Sequence, residues 1–85
     1  MSIRLGISIR NMRPQSEAST MAEIAMAADQ AGLHSLWLTD HIAIPKAESS
    51  GSDGRYVDPL ATLAWLSGKT EQIKLGTGVL VLPYR

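Results

Sequence analysis

The chain opens on strict alternation. From Ile3 to Ile9, Ile3, Leu5, Ile7 and Ile9 fall on one side and Arg4, Gly6 and Ser8 on the other. This period-two pattern predicts a strand with one apolar face and one small or polar face. A polar stretch broken by Pro14 follows. Met21, Ile24, Ala25 and Ala28 then recur at the i, i+3, i+4, i+7 spacing of an amphipathic helix. Thr20 and Glu23 have the spacing of a capping box, Ser16 offers an alternative start one turn earlier, and Gly32 is placed for a left-handed stop. "HSLWLTD" predicts a second, short strand. Asp58 and Pro59 supply a helix N-cap and a proline at the first helical position. Leu60, Leu63 and Ala64 form the expected inner stripe of that helix, with Trp65 at its margin, and the pattern fades from Gly68 to Thr70. "IKLGTGVLVLP" predicts a third strand, ended by Pro83.

The order is β-α-β-α-β, an α/β chain whose strands should pair in parallel through right-handed crossovers. The connection from His41 to Val57 is longer than the usual βα loop of about 2–6 residues, and "ESSGSDGR" within it is flexible by composition. Gly6 and Ser8 in the first strand, and Gly76 and Gly78 in the third, face away from the apolar side. Most barrels fill such positions with bulky branched side chains, so facing glycines should leave a hollow suited to a flat ligand. On pattern alone, a (β/α)8 barrel and an open doubly wound sheet both remain available. A dinucleotide-binding sheet would need a G-x-G-x-x-G turn after its first strand, and "RNMRPQSE" contains no glycine.

Eighty-five residues make one domain or part of one. With 45% apolar and 19% charged residues and no net charge, the composition is that of a soluble globular chain. It lacks the basic footprint of a nucleic-acid binder or a polybasic membrane patch. Without cysteine, disulfides and thiolate metal sites are excluded. No apolar run is long enough for a signal peptide or a membrane span, so the expected location is the cytoplasm.

Candidate chemistry gathers at the carboxyl ends of the strands, where α/β enzymes build their sites. Asp40 and His41 directly follow the second strand, and histidine is the side chain best suited to exchange a proton near neutral pH. The plainer reading is a loop cap at Asp40 with a half-exposed His41. His34 begins the same strand about 20 Å away, too far to share an ion with His41, and no His-x-His pair is present, so no metal is expected. Gly76 and Gly78 weaken a strand unless a bulge or a close ligand needs them. Trp37 fits packing better than cofactor stacking, and Arg10, Arg13 and Arg55 fit solvated loop positions.

Taken together, "LGISI", "AADQAGLHSLWLTDH" and "YVDPLATLAWLSGKTEQIKLGTGVLVLP", in this order and spacing, resemble the bacterial luciferase-like monooxygenase family. That family includes FMN-dependent monooxygenases and deazaflavin-dependent oxidoreductases. The resemblance implies a (β/α)8 TIM barrel with a flavin-type ring at the carboxyl ends of its strands and a small-molecule substrate. It makes His41, with Asp40 beside it, the active-site pair that assists proton transfer or binds the reacting group. It places a non-prolyl cis peptide at Gly78-Val79 against the ring, with Thr77 and Ser8 completing the cofactor-binding set. Several deazaflavin users carry a tryptophan shortly after the histidine. "IAIPKAE" has none, which favours FMN over coenzyme F420. Only the first three of eight barrel strands are expected in residues 1–85, so the chain is expected to be one partial TIM-barrel domain, the amino-terminal portion of an oxidoreductase. Its open strand edges suggest a homo-oligomer. The alternative is a non-catalytic, self-associating barrel fragment that binds no flavin.

Overall fold

The computed structural model describes residues 2–41, 45–48 and 55–85. Five main elements follow in chain order: β1 (Gly6–Ser8), α1 (Ala18–Gln30), β2 (Ser35–Leu38), α2 (Pro59–Ser67) and β3 (Lys74–Thr77). Short 3-10 turns occupy Arg13–Ser16, Lys46–Glu48 and Leu82–Tyr84. The three strands form one parallel sheet in the order β1-β2-β3. This is the expected α/β arrangement.

Register divides the sheet into two faces. Ile7, Leu36 and Leu75 stand in one row and Ser8, Trp37 and Gly76 in the next, and in a parallel sheet such rows point to opposite sides. Ile9, Leu36, Leu38 and Ile73 are buried against Met21, Ala25 and Ala28 of α1 and Leu66 of α2. Fully burying a side chain such as Leu36 stabilises the fold by roughly 1.5–3 kcal/mol. The core therefore lies on the helix side. The opposite, inner face carries Gly6, Ser8, Ser35, Trp37 and Gly76.

Several boundaries differ from the pattern. Ile3 and Leu5 alternate correctly, yet they are 82% and 61% exposed, because ladder pairing starts only at Gly6 opposite Ser35. β3 stops at Thr77 rather than at Pro83, which sits in the last 3-10 turn. No side chain caps α1: Thr20 lies inside the helix, and Glu17 is the N-cap residue. Ser16 instead donates its hydroxyl to the Arg13 carbonyl at 2.6 Å and accepts from Arg55 Nε at 2.6 Å, so Arg55 is not simply solvated.

The inner stripe of α2 is also rotated from expectation. Pro59, Thr62 and Leu66 are buried and Leu63 partly so, while Leu60, Ala64 and Trp65 face outward. "PLATLAWLS" is apolar nearly all round, so its pattern cannot select a face. Thr62 can turn inward because its hydroxyl donates to the Asp58 carbonyl at 2.7 Å. The end of α1 and the start of α2 follow expectation. Asp58 Oδ2 accepts from the Ala61 N–H at 2.8 Å with Pro59 at the first helical position, and Gly32 after α1 has φ +81°. Most of "ESSGSDGR" lies outside the described residues.

Candidate functional site at the carboxyl edge of the sheet

Beyond the strand ends the backbone of the third segment stays joined to the second. The Gly78 N–H donates to the Leu38 carbonyl at 2.8 Å and the Asp40 N–H donates to the Val79 carbonyl at 3.1 Å. The peptide between Gly78 and Val79 is cis, at the position the family resemblance implied. One backbone bond thus sets Asp40, the residue before His41, beside the Gly78-Val79 pair.

Asp40 itself is only 1% exposed. Its Oδ1 accepts from Arg85 Nη2 at 2.6 Å, and its Oδ2 accepts from the Val81 N–H at 2.9 Å and Arg85 Nε at 3.3 Å. The Arg85 hydrogen bonds, then the Val81 N–H, hold the Asp40 carboxyl below the usual carboxylate range. Asp58 is likewise lowered, first by the Ala61 N–H it caps and then by Arg85, whose Nη1 reaches Asp58 Oδ1 at 2.7 Å. Pairing with both carboxylates raises the Arg85 pKa above its ordinary value. The Asp40 carboxylate is therefore a fixed anion that ties β2 to the segment after β3.

His41 is exposed, and its ring packs on Tyr56 with centroids 4.8 Å apart at 53°. Tyr56 is held through an antiparallel bridge to Met12, and the Val57 N–H donates to the Asn11 carbonyl at 2.9 Å. Asn11, fully buried, is the hub of this edge. Its Nδ2 donates to the carbonyls of Thr39 at 2.7 Å and Val57 at 2.9 Å, and its Oδ1 accepts from the Thr39 N–H at 3.3 Å. A cavity of about 180 Å³ is lined by Asp40, His41, Tyr56, Asp58, Tyr84 and Arg85, among others.

The inner face does not contain the expected hollow. A Cβ on Gly76 would lie 2.8 Å from Trp37 Cζ3, and one on Gly6 would lie 3.1 Å from Trp37 Nε1 and against Ser35 Oγ. The indole, donating from Nε1 to Ser35 Oγ at 3.0 Å, lies across both glycines. Their missing side chains make room for Trp37, which packs as the sequence suggested. Towards the rim the surface opens again. A Cβ on Gly78 would only touch Trp37 Cε3 at 3.8 Å, Ser8 and Gly78 are exposed, and Val79 is 58% exposed. Ser8, Gly78 and Val79 leave more room for a planar ring than the strand middle does, since all three are exposed among the described residues.

Of the expected site residues, Asp40 meets Val79 through the backbone, while the His41 ring packs on Tyr56 and lines a cavity that Gly78 and Val79 do not line. Ser8 pairs with Trp37 on the inner face, whereas Thr77 pairs with Leu38 in the row that faces the helices. Asn11, Tyr56 and Arg85 were not singled out from sequence. The only local signal for Asn11 is an amide directly after the first strand and Arg10. Among the described residues, no group of three or more His, Cys, Asp or Glu side chains could hold a metal ion, and no helix is long and apolar enough to cross a membrane.

Comparison with known proteins gives this arrangement a family. The luciferase-like monooxygenase family model matches residues 1–85, and the chain belongs to that family. Among curated relatives, the F420-dependent glucose-6-phosphate dehydrogenase of Kineococcus radiotolerans is 35% identical over 60 residues, which is 71% of this chain and 17% of that protein. The oxygenase component of the flavin-dependent trigonelline monooxygenase of Acinetobacter baylyi is 31% identical over 64 residues, 75% of this chain and 16% of that protein. The aligned stretch thus spans less than a fifth of either relative's length. No solved structure matches the chain significantly.

Proposed function

We propose that the chain forms the first three strands of a (β/α)8 barrel in a cytoplasmic, flavin-dependent oxidoreductase or monooxygenase acting on a small molecule. The redox ring, that of FMN with coenzyme F420 as the alternative, is held at the carboxyl rim by Gly78, Val79 and Ser8. The cofactor supplies the redox chemistry, and the protein supplies binding, orientation and proton handling. His41 is the proton-handling group. Asp40 acts on it through the backbone, because its carboxylate is already committed to Arg85 and Val81. The observation that supports this reading is the Asp40 N–H to Val79 carbonyl bond, which joins the residue before His41 to the exposed Gly78-Val79 pair.

The experiment is a titration of the chain with FMN and with F420, followed by cofactor fluorescence. Gly78→Ala adds a methyl group at ordinary contact distance from Trp37, so the fold should tolerate it. On this reading it weakens cofactor binding about tenfold or more, since the methyl enters the ring's space. His41→Ala leaves binding largely intact and removes turnover in the holoenzyme. A folded chain that ignores both cofactors defeats the reading.

One observation favours a second reading, a self-associating module without flavin chemistry. Ile3, Leu5, Val79, Leu82 and Tyr84 are all more than half exposed, and β1 and β3 are each paired on one side only. Unpaired edges beside apolar surface favour association with further strands, here a homo-oligomer. Light scattering that reports a stable monomer at high concentration counts against it.

A further inference from the structure

A single guanidinium joins three separate pieces of the candidate site. Through Asp40 it reaches the tip of β2 and, by the Asp40 N–H, the Val79 carbonyl. Through Asp58 it reaches the N-terminus of α2, two residues beyond Tyr56. Arg85 itself belongs to the segment that leaves β3, and it lines the cavity with His41, Tyr56 and Tyr84. The two carboxylates it binds lie far apart in sequence and meet nowhere else in the hydrogen bonding described above.

The geometry of the side chain matters as much as its charge. A guanidinium is planar and presents its donors in a rigid fork, so two carboxylates bound to it are held at a set separation. Here Nε and Nη2 engage Asp40 while Nη1 engages Asp58. A lysine ammonium could neutralise either carboxylate without fixing the distance between them. The Arg85 side chain is 21% exposed and that of Asp40 only 2%, so water competes poorly for the Asp40 half of the clamp.

We propose that Arg85 is the positioning residue of this site. It fixes His41 against Tyr56 by clamping Asp40 and Asp58 together. The assignment rests on His41 being the working group of the proposed function. Arg85 touches neither His41 nor a cofactor in this role, and it acts through the two aspartates.

The test uses the full chain by NMR with no cofactor added, so failure to bind FMN would defeat the functional reading without touching this result. The chain contains two histidines, and His34→Gln, on the exposed opposite edge, assigns the remaining signal to His41. The quantity read, at one fixed pH, is the shift of the His41 ring proton caused by the Tyr56 ring. Arg85→Gln should abolish the Tyr56 shift. Arg85→Lys, which keeps the charge but not the planar fork, should also lose it. A folded Arg85→Gln chain with the Tyr56 shift unchanged overturns the proposal. If that variant does not fold, Arg85→Lys decides, and retention of the Tyr56 shift overturns the proposal.

Discussion

Two aspartates organise the two edges of this sheet, and they do so in different ways. At the amino edge, Asp29 near the end of α1 accepts from the backbone N–H groups of Glu71 and Gln72 at 2.8 and 2.9 Å and of Ile73 at 2.9 Å. No cation takes part in these bonds. The backbone N–H groups, Gln72 first, then Glu71 and Ile73, hold its carboxyl below the ordinary carboxylate range. At the carboxyl edge, Asp40 accepts one backbone N–H, and its other partner is a guanidinium shared with Asp58. The first arrangement pins one loop to one helix. The second joins three pieces of chain around a cavity and leaves an exposed imidazole and a cis peptide beside it. Similar chemistry therefore gives a fastening at one edge and a candidate site at the other. What separates them is the shared cation and the exposed groups it surrounds.

The sharpest way to break this contrast is Asn11→Ala. It removes a buried amide that makes three hydrogen bonds at the carboxyl edge, and it leaves the Thr39 and Val57 backbone groups without partners. The expected loss is about 3 kcal/mol, read by chemical denaturation, with the His41 signals displaced as well. A loss below about 1 kcal/mol would show that water replaces the amide and that this edge is looser than its geometry implies.

Acid titration tests both edges together. Asp29, Asp40 and Asp58 all have folded-state pKa values below their ordinary carboxylate values. Their stabilisation is complete above the unfolded value near 4, and it is lost as pH falls below that value towards the folded ones. Thermal midpoints measured downward from pH 5 should fall, and Asp40→Asn should flatten that fall. A profile that stays level to pH 3 would mean that none of the three carboxylates gains from folding.

The smallest effect is expected from Asp29→Asn. The amide keeps one acceptor oxygen, so part of the three-donor arrangement survives. The thermal midpoint should drop by a few degrees, while the His41 contact with Tyr56 stays unchanged. Movement of the His41 signals would show that the two edges are coupled through the sheet, contrary to the contrast drawn above.

Much of the architecture was legible because its causes are local. Met21, Ala25 and Ala28 repeat at helical spacing and are the buried residues of α1, and Asp58-Pro59 starts α2 for reasons contained within a few residues. The α2 face was not legible, since an apolar residue at almost every position removes the contrast on which a stripe depends. The start of β1 misled for a different reason. Ile3 and Leu5 have strand character, but the ladder that would bury them begins further along the chain. At the site, the resemblance marked Asp40, His41 and Gly78-Val79; a backbone bond joins Asp40 to Val79, while the His41 ring turns to Tyr56. Arg85 and Asn11 stayed hidden because their partners lie 27 to 46 residues away, and nothing in the neighbouring letters records such a meeting.

The Trp37 indole over Gly6 and Gly76 carries one last consequence. By plugging the shallow centre of its own sheet, the chain denies depth to any visitor. On the proposed reading, a guest settles instead on the ledge formed by the strand tips. Selectivity on that ledge must then come from whatever roof is placed above it, because the floor is already spoken for.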